Sequence, residues 1–217
     1  MASSEVGKRS RFITFEGGEG AGKTTQVGLL AESLRRAGEQ VTVTREPGGT
    51  LAAEKLRALL LHDPETALGP KAEALVFYAA RQDHLEKVIR PALEKGEFVL
   101  CDRFHDSTRA YQGAGGRLQG SWLSALDALV VGDTQPGLTF FLDLDPQRGL
   151  ARAAGRGQGQ DRFETEDLSF HERLRSAFLD IARAEPDRML TVDATGEPDA
   201  IAAHLRNATS ERYGIAL

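Results

Sequence analysis

Residues 17 to 24 read Gly17-Gly18-Glu19-Gly20-Ala21-Gly22-Lys23-Thr24, a G-x-x-x-x-G-K-T spacing. That order of residue types suits the gripping of a chain of phosphates, the P-loop pattern. The glycines let the backbone double back so that several N–H groups point inward at phosphate oxygens. A helix opening at Lys23 adds the positive end of its dipole. The lysine is long enough to reach the β- and γ-phosphates, and the Thr24 hydroxyl can ligate Mg²⁺. A glycine-rich turn without a ligand would look similar, so the flanks decide. Upstream, Phe12-Ile13-Thr14-Phe15 is a β-branched and aromatic run that suits a buried strand. Downstream, Val27, Leu30, Ala31 and Leu34 recur at three- and four-residue steps, an amphipathic helix ending near Gly38. Strand, glycine loop and helix together predict a site for a nucleoside triphosphate.

Two apolar runs end in an acid that would complete a Mg²⁺ site, Phe98–Asp102 and Phe140–Asp143. Asp102 is favoured because it stands beside Arg103, a pair suited to holding a metal next to an anionic phosphate. Asp145, two residues beyond Asp143, reads instead as a helix N-cap with Pro146 at the first helical position. Arg45, Arg81 and Arg103 sit at ends or faces of three different segments. An acceptor that carries its own phosphate needs such a set, since two polyanions must be brought together. Taken singly, each is as well explained as a solvated surface arginine. Phe77 and Arg81 are spaced i, i+4 and share a helix face. They suit the stacking of a base and the reading of its edge, although spacing alone favours a core phenylalanine with an exposed neighbour. A glycine-rich stretch from Arg152 to Glu166 carries Arg152, Arg156 and Arg162 and reads as a mobile lid. The variable positions of the P-loop hold no basic residue, so an extra cation must come from elsewhere, and the lid can supply it.

These groups need a scaffold that delivers several strand ends to one edge. Short apolar strands alternate with helical stretches, as in a parallel sheet with helices on both faces. Strands are predicted at 12–15, 41–44, 98–101, 139–144 and 189–192. Helices are predicted at 51–61, about 71–94 with a kink at Pro91, 122–131, from 146, 169–184 and 199–210. Pro47-Gly48-Gly49 forbids a regular element, which leaves Arg45 and Glu46 at the C-terminal end of a strand, where open α/β sheets bind ligands.

The chain of 217 residues suits one α/β domain with a real core. Its net charge of −5, with scattered Lys and Arg, argues against a nucleic-acid partner. Cys101 is the single cysteine, which excludes an intrachain disulfide or a cysteine-rich zinc site. The five histidines (His62, His84, His105, His171 and His204) never sit three to five apart, which argues against a histidine-rich metal site. No apolar run approaches the roughly 20 residues of a membrane span. The first eleven residues lack the apolar core of a signal peptide, so a cytoplasmic enzyme is expected. Residues 1–10 are expected as a disordered tail and 11–217 as one P-loop domain, its lid at about 152–166.

Read together, the motifs resemble the thymidylate kinase family. They are Phe15-Glu16-Gly17 leading into Glu19-Gly20-Ala21-Gly22-Lys23-Thr24-Thr25, then Thr44-Arg45-Glu46-Pro47-Gly48-Gly49-Thr50, then Phe77-Tyr78-Ala79-Ala80-Arg81. Asp102-Arg103-Phe104 follows, with Ser107 and Ala110-Tyr111-Gln112-Gly113, and last Asp161-Arg162-Phe163-Glu164. The likeness covers nearly the whole chain in order. The absent P-loop cation and the arginine-bearing lid resemble the bacterial type. Phe104 stands where tyrosine is common.

The resemblance implies a P-loop kinase fold with a five-stranded parallel sheet, and transfer of the ATP γ-phosphoryl group to dTMP with Mg²⁺. Gly17 to Thr25 and Arg152 would bind ATP, and Thr24 and Asp102 the metal. Lys23, Arg45, Arg103, Arg156 and Arg162 would neutralise the transferring group, with Arg45 and Arg103 on the acceptor phosphate. Phe77 would stack on thymine and Arg81 bond its carbonyl edge, with Thr108 and Gln112 near the base. Tyr111 would crowd the 2′ position, Glu19 face the 3′-hydroxyl or the metal, and Glu164 close on the sugar. Pro47 and Ser107 belong to the same acceptor set. A homodimer is implied, with Leu75 and Val88 of the long helix as candidate contacts. The alternatives are a kinase for another acceptor such as dUMP or an unphosphorylated deoxynucleoside, or a GTP-dependent switch. The switch lacks its guanine-reading motif, since Asn207 is the only asparagine. Asp193-Ala194-Thr195-Gly196 has a switch spacing but follows the last strand.

Overall fold

The apolar run Phe12–Glu16 forms β1, which is buried along its whole length. A computed structural model describes residues 10–62, 68–115, 118–155 and 162–217. β1 leads through the P-loop into α1 (Lys23–Arg36), then β2 (Val41–Arg45), α2 (Leu51–His62), α3 (Pro70–His84) and α4 (Arg90–Glu94). β3 (Phe98–Asp102), α5 (His105–Thr108), α6 (Gly120–Val130) and β4 (Leu138–Asp143) follow. α7 (Pro146–Ala154), α8 (Leu168–Ala184), β5 (Met189–Asp193) and α9 (Pro198–Tyr213) complete the chain.

Among the described residues, the five strands make one parallel sheet in the order β2-β3-β1-β4-β5. The central strands are mostly apolar and buried along nearly their whole length because helices cover both faces, whereas β2 and β5 at the edges are partly exposed. On one side Phe15, Phe98, Phe140 and Leu142 pack against Val27, Leu30 and Leu34 of α1. β1 pairs with β3 on one side and β4 on the other, so the chain reverses direction across the sheet beside the P-loop. Crevices form at such switch points. Register sets the site directly: Asp102 lies opposite both Phe15 and Arg45, which brings three strand ends to one level.

The long helix expected at 71–94 runs from Pro70 to Glu94, with a widened π-type turn at Leu85–Ile89. There the Arg90 N–H donates to the Leu85 carbonyl, five residues back. Pro91 has no N–H to offer Lys87, and the irregularity falls in the turn just before it. A helical segment that periodicity did not predict spans His105–Gly115, α5 continuing into a second π-type stretch from Arg109. Its buried residues include His105, Asp106, Thr108 and Gln112, so it shows no apolar stripe. Of the expected tail, Ser10 is described, and its carbonyl accepts a bond from the Tyr213 hydroxyl at 3.0 Å. Residues 1–9 lie outside the described residues.

Candidate active site

The P-loop takes its shape from glycines in backbone conformations that other residues rarely adopt: Gly17 at φ 144°, Gly20 at 67° and Gly22 at 88°. Gly20 is also pressed against α7, where an added Cβ would lie 2.0 Å from the Gly149 carbonyl oxygen. Lys23 is buried and folds back over the loop, its Nζ donating to the carbonyls of Gly17 (3.1 Å) and Gly18 (2.8 Å). Burial and the nearby Arg103 lower its pKa.

Asp102, at the end of β3, accepts a hydrogen bond from Thr24 Oγ1 at 2.6 Å. The other candidate acid, Asp143, is held by Arg175 through Nε (2.6 Å) and NH2 (2.9 Å). A hydroxyl and a carboxylate touching beside a phosphate loop are oxygen donors of the kind Mg²⁺ takes, with phosphate and water oxygens completing its shell. The residues present therefore fit that ion. Among the described residues no group of three or more His, Cys, Asp or Glu is arranged to hold a metal.

Arg103 adopts φ 67°, the one positive value among described non-glycine residues. Its N–H donates to the Phe15 carbonyl (2.9 Å), and its side chain turns to the P-loop. NH1 donates to the Gly17 carbonyl (2.9 Å) and NH2 to Glu19 Oε1 (2.7 Å). The Tyr111 hydroxyl donates to the same Glu19 oxygen at 2.8 Å. Burial pushes the Glu19 carboxyl up, but Arg103 and then Lys23 outweigh it and hold the pKa at about 2. The turn after Arg103 is anchored by Glu16, which accepts from Phe104 N (2.8 Å), Ser107 N (3.2 Å) and Ser107 Oγ (2.6 Å). Glu16 is pushed up to about 7, by burial first and by the nearby Asp106 second. Phe104 is fully buried, edge-on to Phe12 at 4.8 Å, in surroundings that would leave a tyrosine hydroxyl little water.

A cleft of about 900 Å³ runs from Lys23, Thr24 and Thr25 to α3 and the His105–Gly115 segment. On one side of it β2 and the turn that follows contribute Arg45 and Pro47, and α3 contributes Phe77 and Arg81. Ser107, Thr108, Tyr111 and Gln112 line the facing wall, and Glu164 the rim beyond α7. Arg45 is paired with Glu54 at 3.1 Å and half exposed. Arg81 is 2% exposed and pairs with Glu46 at 2.7 Å. Gln112 donates to Glu73 at 2.7 Å. Gly17, Gly18 and Ala21 shape the loop from outside this cleft, whereas Glu19, Gly20 and Gly22 line it.

The family model described as thymidylate kinase matches residues 15–205. The chain belongs to the thymidylate kinase family. A thymidylate kinase of Caulobacter vibrioides is 53% identical over 204 residues, covering 94% of this chain and 98% of the relative. One of Deinococcus radiodurans is 53% identical over 201 residues, covering 93% and 97%. A crystal structure of thymidylate kinase from Ehrlichia chaffeensis superposes with a TM-score of 0.76 at 36% identity, covering 91% of this chain and 97% of that one. The P-loop kinase fold and the phosphotransferase class follow.

In this thymidylate kinase two of the expected lid arginines, Arg152 and Arg162, are engaged away from the P-loop. Arg152 NH1 donates to the Ala194 carbonyl beyond β5 at 3.2 Å. Arg162 pairs with Glu73 of α3, its guanidinium 4.7 Å from the Phe163 ring centroid. Arg156 lies outside the described residues, as does most of the expected lid hinge. Sequence reasoning passed over three residues that bear on the site, Glu16, His84 and Arg57, and it placed Glu46 at a ligand-binding strand end without finding its partners Arg81 and His84. Arg57 NH1 donates to the Pro47 carbonyl at 2.9 Å and lines the cleft. Glu16 carried one signal, an acid ending a buried apolar strand. His84 carried none, since its partners lie 38 and 40 residues away.

Proposed function

We propose that this chain transfers the γ-phosphoryl group of ATP to the 5′-phosphate of dTMP, releasing dTDP and ADP. An acceptor phosphate oxygen forms the new P–O bond, and the bond from the γ-phosphorus to the β–γ bridging oxygen breaks. The observation that carries the reading is Arg81. Its NH1 is buried with no partner among the described residues, and Arg81 lines the same cleft as Lys23 and Thr24 of the P-loop. A buried unpaired donor is costly, and the 4-oxo group of a thymine stacked on Phe77 would satisfy it.

Phosphoryl transfer asks for alignment and charge neutralisation more than for covalent help, so no base or nucleophile is assigned. Lys23 and the backbone N–H groups of the loop bind the ATP phosphates. Arg103 and Arg45 hold the acceptor phosphate, Arg45 exchanging its bond to Glu54. Thr24 and Asp102 would hold Mg²⁺, which when bound offsets negative charge on the phosphates. Glu19, ionised and fixed by Arg103 and Tyr111, faces the sugar. Arg156 is the lid arginine left to reach the transferring group, Arg152 and Arg162 being engaged elsewhere.

Residues 11–217 act as one kinase domain, its lid at about 152–166. A homodimer is supported by exposed Leu75 on α3 (50% exposed) and Leu129 on α6 (79% exposed). Val88, the other candidate contact, also lines the cleft. The chain works in the cytoplasm on nucleotides, in keeping with its net charge of −5. No described helix is long and apolar enough to cross a membrane.

A coupled ADP-release assay with ATP, Mg²⁺ and dTMP, dUMP, dCMP, dGMP, AMP or thymidine tests the reading. A strong Mg²⁺-dependent preference for dTMP is expected. Preference for another acceptor would reassign Phe77, Arg81 and Thr108, and activity on none would overturn the proposal.

A further inference from the structure

Arg81 arrives at the cleft already fixed on several sides. Its Nε donates to Glu46 Oε2 at 2.7 Å, and NH2 donates to Thr108 Oγ1 (2.9 Å) and the Phe104 carbonyl (3.2 Å). The guanidinium carbon lies 4.8 Å from the Tyr78 ring centroid and 5.3 Å from that of Phe104. Only NH1 is left to present a donor to a ligand.

Behind Arg81 the bonds continue. The second oxygen of Glu46 meets His84 Nδ1 at 3.0 Å, and His84 Nε2 meets Thr44 Oγ1 at 2.6 Å. A carboxylate only accepts, so Nδ1 carries a proton, and in the neutral ring Nε2 accepts from the Thr44 hydroxyl. Burial pushes the Glu46 carboxyl up, but Arg81 and His84 together bring it below its ordinary value, so the ionised form is the one held. His84 is fully buried, and the backbone closes over it. A Cβ at Gly49 would lie 2.5 Å from Nε2 and 2.7 Å from Thr44 Oγ1. Glu46 N donates to the Asp102 carbonyl at 2.9 Å. One chain of bonds, Thr44 to His84 to Glu46 to Arg81, thus joins the end of β2 that carries Arg45 to the group at the base end of the cleft.

We infer that Glu46 and His84 are positioning residues for base selection, holding Arg81 so that NH1 meets a 4-oxo pyrimidine and rejects a 4-amino one. The inference rests on the dTMP reading above. A 4-oxo group accepts the NH1 hydrogen bond. A 4-amino group turns two hydrogens toward the guanidinium and leaves both sides unpaired. Rejection of this kind depends on a guanidinium that cannot swing aside. Without His84, Glu46 loses one of its two fixed partners, and Arg81 gains freedom to retreat from the wrong base.

The experiment measures kcat and KM for dTMP, dCMP and ATP, with melting temperature, in the wild type and in His84→Ala, His84→Asn and Thr44→Val. His84→Ala should raise KM for dTMP about tenfold, leaving kcat and KM for ATP within about twofold. Its kcat/KM preference for dTMP over dCMP should fall about tenfold. The asparagine amide can replace Nδ1–H toward Glu46, so His84→Asn should return that preference to within about threefold of wild type. A purely structural histidine would instead lower kcat on every acceptor with the preference intact, and that result overturns the inference. So does an asparagine variant no better than alanine. If His84→Ala does not fold, Thr44→Val carries the test: a preference lowered about threefold supports the inference, and an unchanged one overturns it. A wild-type enzyme with no preference for dTMP over dCMP would remove the dTMP reading itself.

Discussion

Arg103 NH2 lies 2.7 Å from Glu19 Oε1, an ion pair that ties the residue after β3 to the middle of the P-loop. The same guanidinium also donates to the Gly17 carbonyl, at 2.9 Å. One planar fork thereby fixes two points of the P-loop while itself lining the cleft.

Replacing that fork by a point charge should be costly. Arg103→Lys keeps the charge but cannot serve Gly17, Glu19 and a phosphate together. We expect kcat to fall about 100-fold or more, and Lys23→Ala to lower it by a similar or larger factor. Circular dichroism should show both variants folded. Near-normal turnover by a folded Lys23→Ala variant would end the charge-neutralisation account.

Phe77 lines the cleft, half buried, on the same face of α3 as Arg81. Base–aromatic stacking is worth about 1–3 kcal/mol per base. Phe77→Ala should therefore raise KM for dTMP about tenfold or more and change KM for ATP less than about twofold. Equal effects on both substrates would assign Phe77 to packing.

Glu16 makes a pH prediction with a definite sign. Its folded pKa, about 7, stands above the ordinary 4.5. Its contribution is therefore complete below pH 4.5 and is lost as pH rises toward 7. At about 1.4 kcal/mol per pKa unit the loss is on the order of 3 kcal/mol. Asp106 acts in the other direction and in another window. Burial raises its pKa, but His105 and Arg188 outweigh that and hold it below its ordinary 3.8, so its stabilisation fades only as pH falls below that value. Thermal melts of wild type and Glu16→Gln from pH 4.5 to 7.5 provide the check. The wild-type decline should flatten in the variant, and parallel curves would show that Glu16 does not cause it.

Gly149 lies outside every motif, yet an added Cβ would sit 2.3 Å from the Glu19 carbonyl oxygen. Gly149→Ala should push the P-loop off α7, raising KM for ATP several-fold and costing about 1–3 kcal/mol of stability. An unchanged melting temperature together with an unchanged KM would show that α7 moves aside freely.

Much of the site was legible because its chemistry is local. The P-loop needs its glycines, lysine and threonine within eight positions, and flanking periodicity announces the strand and helix. The buried strands declared themselves by composition, and their ends carried Arg45 and Asp102. The His105–Gly115 segment stayed hidden because its buried polar groups are balanced by distant partners: Asp106 by Arg188 and Gln112 by Glu73. The lid arginines show the same limit. Glycine-rich spacing suggests cations free to reach phosphate, but it cannot reveal that Glu73 takes Arg162 or that the Ala194 carbonyl takes Arg152.

The bonds from Lys23 to the Gly17 and Gly18 carbonyls bear on the timing of dehydration. A lysine left in solvent would have to shed its water each time a nucleotide arrived. Here the ammonium loses that water when the protein folds, and two carbonyl dipoles stand in for it. In the proposed reaction an arriving phosphate would replace those carbonyls rather than a water shell, so the dehydration of the ammonium is completed once, during folding.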